Sequence, residues 1–405
     1  EHDPIETRIP LRPRDGSVEF TKMPMALHSD EFGGSITRIG TDEPRFEGYL
    51  TAIALTPDTG DKKAYIAVGS IIYVANLTDP DNVEIGDQVA VISSGVDQMH
   101  VDGQRLFVIT DSDCYKYSCG EVVIFEIAES FDLVEVSRLS GEYRAMSIEG
   151  DSLFLVARSG EVEIYRIDGR NKPTKLSMIE PPRDGERADH EAATVDIAVE
   201  SGRVYLALEP RHLAIYDVSD VSSPSLLSIV DLEFNERPGS LAQVIAVDGI
   251  TVLIGVQDTR PSIVSVDVSD LKNPAVVDFE QLNVGTQYFD YTNLEIIGNK
   301  AFYTGWVGDW LSSWTVGVLD ISTPEDVLHV GSVTQEGPVG AGVGTEEFVY
   351  LPSFEDLHTI RVAGVDGPMR EDVGDPIPAA VISSLALGGT PSRIHISGNH
   401  GFVFS

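Results

Sequence analysis

Met99-His100-Val101-Asp102-Gly103-Gln104-Arg105-Leu106-Phe107-Val108-Ile109 reads as an alternating strand, a tight turn on glycine, and a strongly apolar second strand. The same pattern returns from Met146 to Val156, from Ile245 to Ile254 and from Ile394 to Phe404. Variants begin near Ile197 and Leu294, and weaker copies lie near Ile53, with a longer turn, and near Val343. The turn glycines Gly103, Gly150, Gly202, Gly249 and Gly298 follow one another at 47 to 52 residues. From Gly298 to Gly398 the gap is 100 residues, room for one more unit with its turn near Glu346.

A second signal follows each hairpin. A hydrophobic strand ends in Asp and runs into a polar turn: Ile215-Tyr216-Asp217-Val218-Ser219-Asp220, Ser265-Val266-Asp267-Val268-Ser269-Asp270 and Val318-Leu319-Asp320-Ile321-Ser322-Thr323. Looser copies run from Ile164 to Gly169 and from Tyr73 to Thr78. Asp and Ser oxygens in such places accept from backbone N–H groups a few residues on and fix the turn. Pro80, Pro173, Pro224 and Pro274 then stop the strand, and a third apolar run, such as Leu226–Leu232, completes the unit.

Helical periodicity is almost absent, so the expected fold is all-β. Units of this length match four-stranded propeller blades. Starts near 51, 97, 144, 195, 243, 292, 341 and 392 give a single β-propeller of eight blades, or seven if the unit near 341 is an insertion. Residues 49–390 would hold seven full repeats and 391–405 only the inner strands of the closing blade. The N-terminal segment, 1–48, offers Ser17–Phe20 and Ser35–Ile39 to complete it. A ring closed by both chain ends leaves no sheet edge open to aggregation.

The glycine hairpin, the Val-Asp-Val-Ser-Asp strand end and the following Asn273-Pro274 resemble the LVIVD-repeat β-propeller family, most clearly around 197–230 and 245–276. The resemblance implies a propeller in a secreted or surface-associated protein. It carries no functional residue over, because members similar in this way share no single chemistry.

The 405 residues carry 65 Asp and Glu against 28 Lys and Arg, a net charge of -37, and only 8 of the cations are Lys. Such a surface repels nucleic acid and anionic membrane, whose binding depends on counterion release to Lys and Arg. No run approaches the ~20 apolar residues of a membrane helix. Cys114 and Cys119, separated by four residues in a turn-like insert, fit a local disulfide and an oxidising compartment; two reduced surface thiols are the alternative.

Metal signals are thin. Asp111 and Asp113 beside Cys114 suggest calcium, but a hard cation takes more oxygens than two carboxylates supply. Asp58 with Asp61, Asp79 with Asp81, and His395 with His400 are poorer versions. There is no nucleophile elbow, and the Gly-rich stretch from Gly337 to Gly344 lacks the ending that would cradle phosphate. No cofactor other than calcium is suggested.

Two constellations remain. Trp306, Trp310 and Trp314 lie within nine residues in an extended hairpin loop, where aromatic faces suit sugar rings or a partner's interface, or else cover the blade's own loop. The second follows from strand register. Residues four and two before each turn glycine are apolar, so those five and three before it share the opposite face. That face carries Gln98, His100, Asn293, Glu295, Arg393 and His395, with Asp196 if the turn before Gly202 holds one extra residue, and Arg144 just outside the register. These could line a ligand site on the ring axis, or hydrogen-bond between blades.

The sequence therefore points to an extracellular, periplasmic or cell-surface propeller that binds a glycan or a protein partner. The alternative is a propeller enzyme, a polysaccharide lyase or hydrolase, working from the axis with a His or Tyr base beside Arg.

Overall fold

The computed structural model describes residues 7–11, 18–25, 36–41, 50–55, 63–76, 84–111, 120–168, 172–182, 194–232, 241–257, 261–282, 284, 289–307, 313–336, 343–344, 348–353, 356–361, 380–386, 396–397 and 400–401. These residues contain β-strands and no helix. The strands fall into antiparallel units of four, each leaving its first strand innermost and its fourth outermost.

The first unit holds Leu50–Leu55, Lys63–Val68, Ile71–Asn76 and Glu84–Val91. The second starts with Gly95–Asp102, Arg105–Asp111 and Gly120–Ile127. Its fourth strand does not stop at a loop. Leu133–Glu149 is one strand of 17 residues, whose first half pairs with Gly120–Ile127 and whose second half pairs with Ser152–Ala157 of the third unit. The third unit continues with Val162–Arg166 and Thr174–Ile179. The fourth holds Thr194–Glu200, Arg203–Leu208, His212–Asp217 and Ser225–Asp231. The fifth holds Leu241–Asp248, Thr251–Gln257, Ser262–Asp267 and Ala275–Gln281. The sixth holds Phe289–Ile297, Lys300–Val307, Ser313–Asp320 and Leu328–Glu336. The seventh holds Val343–Gly344, Phe348–Ser353, Asp356–Arg361 and Ala380–Ala386.

The hairpin turns behave as the glycine pattern requires. Gly103 adopts φ 55° with nothing within 4 Å of an added Cβ, so glycine is there for its backbone and not for space. In the fourth unit the two-residue turn is Ser201-Gly202, both with positive φ, so glycine stands second in it where Gly103, Gly150, Gly249 and Gly298 stand first. At the strand ends, Asp217 accepts from Ser219 N at 2.9 Å, Asp267 from Ser269 N at 2.7 Å and Asp320 from Ser322 N at 2.9 Å.

Each core lies between two units and not within one. Met146 and Ile148 of the third unit pack on Phe107, Ile109 and Ile124 of the second. Ala145 on the opposite face joins Val204 and Leu206 of the fourth. Val244 and Ala246 of the fifth meet Phe289, Tyr291 and Leu294 of the sixth. The third, fourth and fifth sheets therefore have both faces against a neighbouring sheet, the arrangement of propeller blades.

The N-terminal strands do something other than the sequence suggests. Thr7–Leu11, Val18–Met25 and Ile36–Thr41 form an antiparallel ladder, and Ile36–Thr41 runs parallel to Ala380–Ala386 on the outer edge of the seventh unit. Among the described residues they do not pair with the C-terminal hairpin Ile396–Ser397/His400–Gly401. That hairpin lies against Leu50–Leu55 of the first unit and Val343–Gly344 of the seventh. The unpaired backbone of an outermost strand is a ready template for an added one, which is what Ala380–Ala386 offers.

Candidate functional site

Every innermost strand from the first unit to the sixth carries a register irregularity on the side away from its hairpin turn: at Leu50/Ala52, Val96/Gln98, Tyr143/Ala145, Thr194/Asp196, Ala242/Val244 and Tyr291/Asn293. These bulges set the level at which the sequence-derived axial residues stand. An innermost strand is paired on one side only, so half of its backbone groups have no ladder partner. The axial residues supply those partners from the adjacent unit.

Gln98 Nε2 donates to Arg144 O at 2.5 Å, from the second unit to the third. The Arg144 guanidinium, buried, donates in turn to Thr194 O of the fourth. Asp196 Oδ2 accepts from Ile245 N of the fifth at 3.0 Å, while its Oδ1 accepts from Ile197 N at 2.9 Å. Gln243, which the sequence did not single out, accepts through Oε1 from Tyr291 N of the sixth at 2.9 Å. Gln98, Arg144 and Asp196 thus take part in one course of inter-blade bonds, the second of the two roles that their register allows. A similar course runs at the turn end, where Glu149 accepts from Gly202 N at 3.0 Å and Glu200 from Gly249 N at 2.9 Å.

His100 and Glu295 stand one step nearer the turns, in the second and sixth units, and Asn293 stands level with Gln98 and Asp196. Burial pushes the His100 imidazole down to about 4 and the Glu295 carboxyl well above the usual carboxylate range. Arg393, His395, Asp113, Cys114, Cys119 and Trp310 lie outside the described residues, and of Asp111 only the backbone pairing with Gly95 is described. Among the described residues no three His, Cys, Asp or Glu are grouped to hold a metal ion.

Two polar clusters on the seams are structural in character. Tyr143 and Tyr165 both donate to Glu163 Oε2, at 2.7 and 2.6 Å, and Lys175 Nζ meets Oε1 at 2.5 Å. Burial alone would raise the Glu163 carboxyl, yet Lys175 and the two phenols hold it below its ordinary value. In the sixth unit Tyr303 Oη and His329 Nε2 share a hydrogen bond of 2.9 Å beneath a T-shaped aromatic group of Phe289, Tyr291 and Tyr303.

Trp306 and Trp314 are backbone partners across the strands that bracket 308–312, and Asp290 is the partner of Trp306 on the innermost strand. Trp306 is half-buried and Asp290 exposed. Asp290 Oδ1 accepts from Gln257 Nε2 at 2.5 Å and from Gln243 Nε2 at 3.1 Å, both on the fifth unit. Gln243 Nε2 also meets Gln257 Oε1 at 3.1 Å. Sequence reasoning found the tryptophans but missed these partners, because Gln257 and Asp290 are 33 residues apart and belong to different repeats.

No family model matches the chain, and no curated protein matches it. Solved structures do. The periplasmic gluconolactonase PpgL of Pseudomonas aeruginosa is similar with a TM-score of 0.57 and 12% identity, over 84% of this chain and 97% of that one. A chain of the mitotic checkpoint complex gives 0.53 and 15%, over 81% and 95%. The β-propeller domain of Swd1 from Myceliophteria thermophila gives 0.50 and 10%, over 72% and 86%. At such identities the likeness concerns architecture alone. With the seam-packed four-stranded sheets, it makes this chain a β-propeller.

Proposed function

We propose that this propeller is a binding module, secreted or displayed on a cell surface, that engages a glycan or a protein partner at the end of the ring bearing the tryptophan hairpin. The observation that carries this reading is Trp306 standing half-buried beside the Asp290–Gln257–Gln243 cluster, where a large apolar face and a held carboxylate meet at a rim. Neighbours of the fold include a chain from a multi-protein assembly and an enzyme, so architecture alone does not choose. Against an axial enzyme stands the use of Gln98, Arg144 and Asp196 to tie blades together.

The wider proposal has three parts. The ring has eight blades, with Ile396–Ser397/His400–Gly401 as the reduced eighth, and its repeats belong with the LVIVD type. Cys114 and Cys119 are joined in an oxidising compartment. The net charge of -37 keeps nucleic acid and anionic membrane away.

The deciding variant is Trp310→Ala, read on a glycan array and by cross-linking to purified surface proteins. The variant should keep its melting temperature and lose the wild-type signal. Release of product from a polysaccharide by wild type, persisting in Trp310→Ala and abolished in His100→Ala, would overturn the reading in favour of the axial enzyme.

A further inference from the structure

We infer that Trp306, Asp290, Gln257 and Gln243 form a subsite for a neutral sugar, an inference that rests on the reading of the ring as a binding module.

The argument begins with the direction of the hydrogen bonds. Tyr291 N–H can only donate, so the Gln243 atom that receives it at 2.9 Å is the carbonyl oxygen Oε1. That fixes the amide's orientation and turns Nε2 toward Gln257 Oε1 and Asp290 Oδ1, both at 3.1 Å. With its oxygen so engaged, Gln257 presents Nε2 to Asp290 Oδ1. A backbone group buried at the seam therefore orders three side chains in sequence, and Asp290 is the terminal acceptor. Chains of this kind polarise one another and hold their members in one geometry.

What the chain leaves over is informative. Both amide bonds to Asp290 end on Oδ1, and among the described residues Oδ2 accepts none. Gln257 Nε2 donates one of its two hydrogens to a described partner. The indole N–H of Trp306, the backbone partner of Asp290, has no described hydrogen bond. Among the described residues, one acceptor and two donors are thus uncommitted at the end of the seam between the fifth and sixth units, beside a half-buried aromatic residue.

A pyranose has matching chemistry. Its hydroxyls both donate and accept, so neighbouring ones can engage a carboxylate oxygen and an amide N–H together, and its C–H face packs on an indole. A carboxylate acceptor is worth more than a neutral one, and this one is held in place before the ligand arrives. An acidic sugar would face Asp290 directly and a protein of net charge -37 at long range. The ligand class is therefore neutral.

The test uses the whole chain, with neutral hexasaccharides of glucose, mannose, xylose and galactose as probes, and polygalacturonate and alginate as acidic controls. Tryptophan fluorescence and retardation in polysaccharide-containing gels report binding. Wild type should bind at least one neutral probe, and Asp290→Ala and Gln257→Ala should each weaken it by about tenfold or more, the usual consequence of losing a hydrogen bond to a charged group. Trp306→Phe should retain part of the binding. If Asp290→Ala does not fold, Gln257→Ala, which removes an exposed-side amide, decides. Neutral-probe binding unchanged in both Asp290→Ala and Gln257→Ala would overturn this site while leaving a glycan-binding module standing elsewhere on the ring. Binding confined to the acidic controls, or to none of the probes, would overturn the neutral-sugar assignment. In the second case the module reading then turns on the protein arm of the Trp310→Ala test.

Discussion

Asp196 reaches across a blade seam to Ile245: its Oδ2 accepts the Ile245 N–H at 3.0 Å while its Oδ1 is held by Ile197 N at 2.9 Å. One side chain thus satisfies an innermost-strand donor that no ladder within its own sheet can reach. Asp196→Ala should lower the free energy of unfolding by about 1–3 kcal/mol, the cost of leaving such a donor unpaired. Asp196→Asn, which retains one acceptor, should lose less. Urea denaturation followed by tyrosine and tryptophan fluorescence measures both, and equal stability of all three proteins would mean that the seam bond contributes nothing.

His100 and Glu295 should pull the pH dependence of stability in opposite directions. The folded His100 titrates at about 4, below its ordinary 6.5, so the neutral ring is the form the fold favours. Its contribution is complete above 6.5 and is lost as pH falls toward 4, when the unfolded chain takes up the proton first. The Glu295 carboxyl is raised from 4.5, so its contribution is complete below 4.5 and is lost as pH rises through the folded value. His100→Gln should flatten the acid side of the stability profile relative to wild type. Glu295→Gln should raise stability at neutral pH. Urea midpoints between pH 4.5 and 8 provide the comparison, and profiles parallel to wild type would show that neither group is buried as described.

A thiol assay on denatured, unreduced protein should find neither Cys114 nor Cys119 free. Because the loop they would close is short, reduction should cost less than the ~3 kcal/mol of a 15-residue loop. Two titratable thiols would remove the case for an oxidising compartment.

Deleting residues 1–41 should uncover the outer edge of Ala380–Ala386, where Ile36–Thr41 now pairs. The shortened protein should melt lower and associate through that edge, visible by light scattering. Unchanged melting and a monodisperse solution would show that the parallel pairing carries no weight.

The repeat was readable because its parts are local. Gly103 needs positive φ, and Asp217 needs Ser219 two residues away, so both leave a fixed spacing in the chain. Even the one-residue shift at Ser201 could be anticipated from the register of Asp196 and Ala198. The face on which Gln98 and His100 stand was also legible, but its meaning was not. Alternation separates two faces without saying what each is packed against, and so it left an axial site and inter-blade hydrogen bonds both open. The tryptophans stood out by their density, whereas Gln257 and Asp290 left no pattern because their meeting depends on how the fifth and sixth blades dock.

The unbroken strand Leu133–Glu149 also sets where this ring can be cut and rejoined. Blades joined by a loop can be exchanged, duplicated or opened into new termini, since the joint carries no ladder. Around Ser140 and Gly141 the second and third blades have no such joint, and a break there would sever the outer strand of one from the inner strand of the other. For recombination these two blades are a single indivisible module of double length, and a permuted or grafted ring should begin elsewhere.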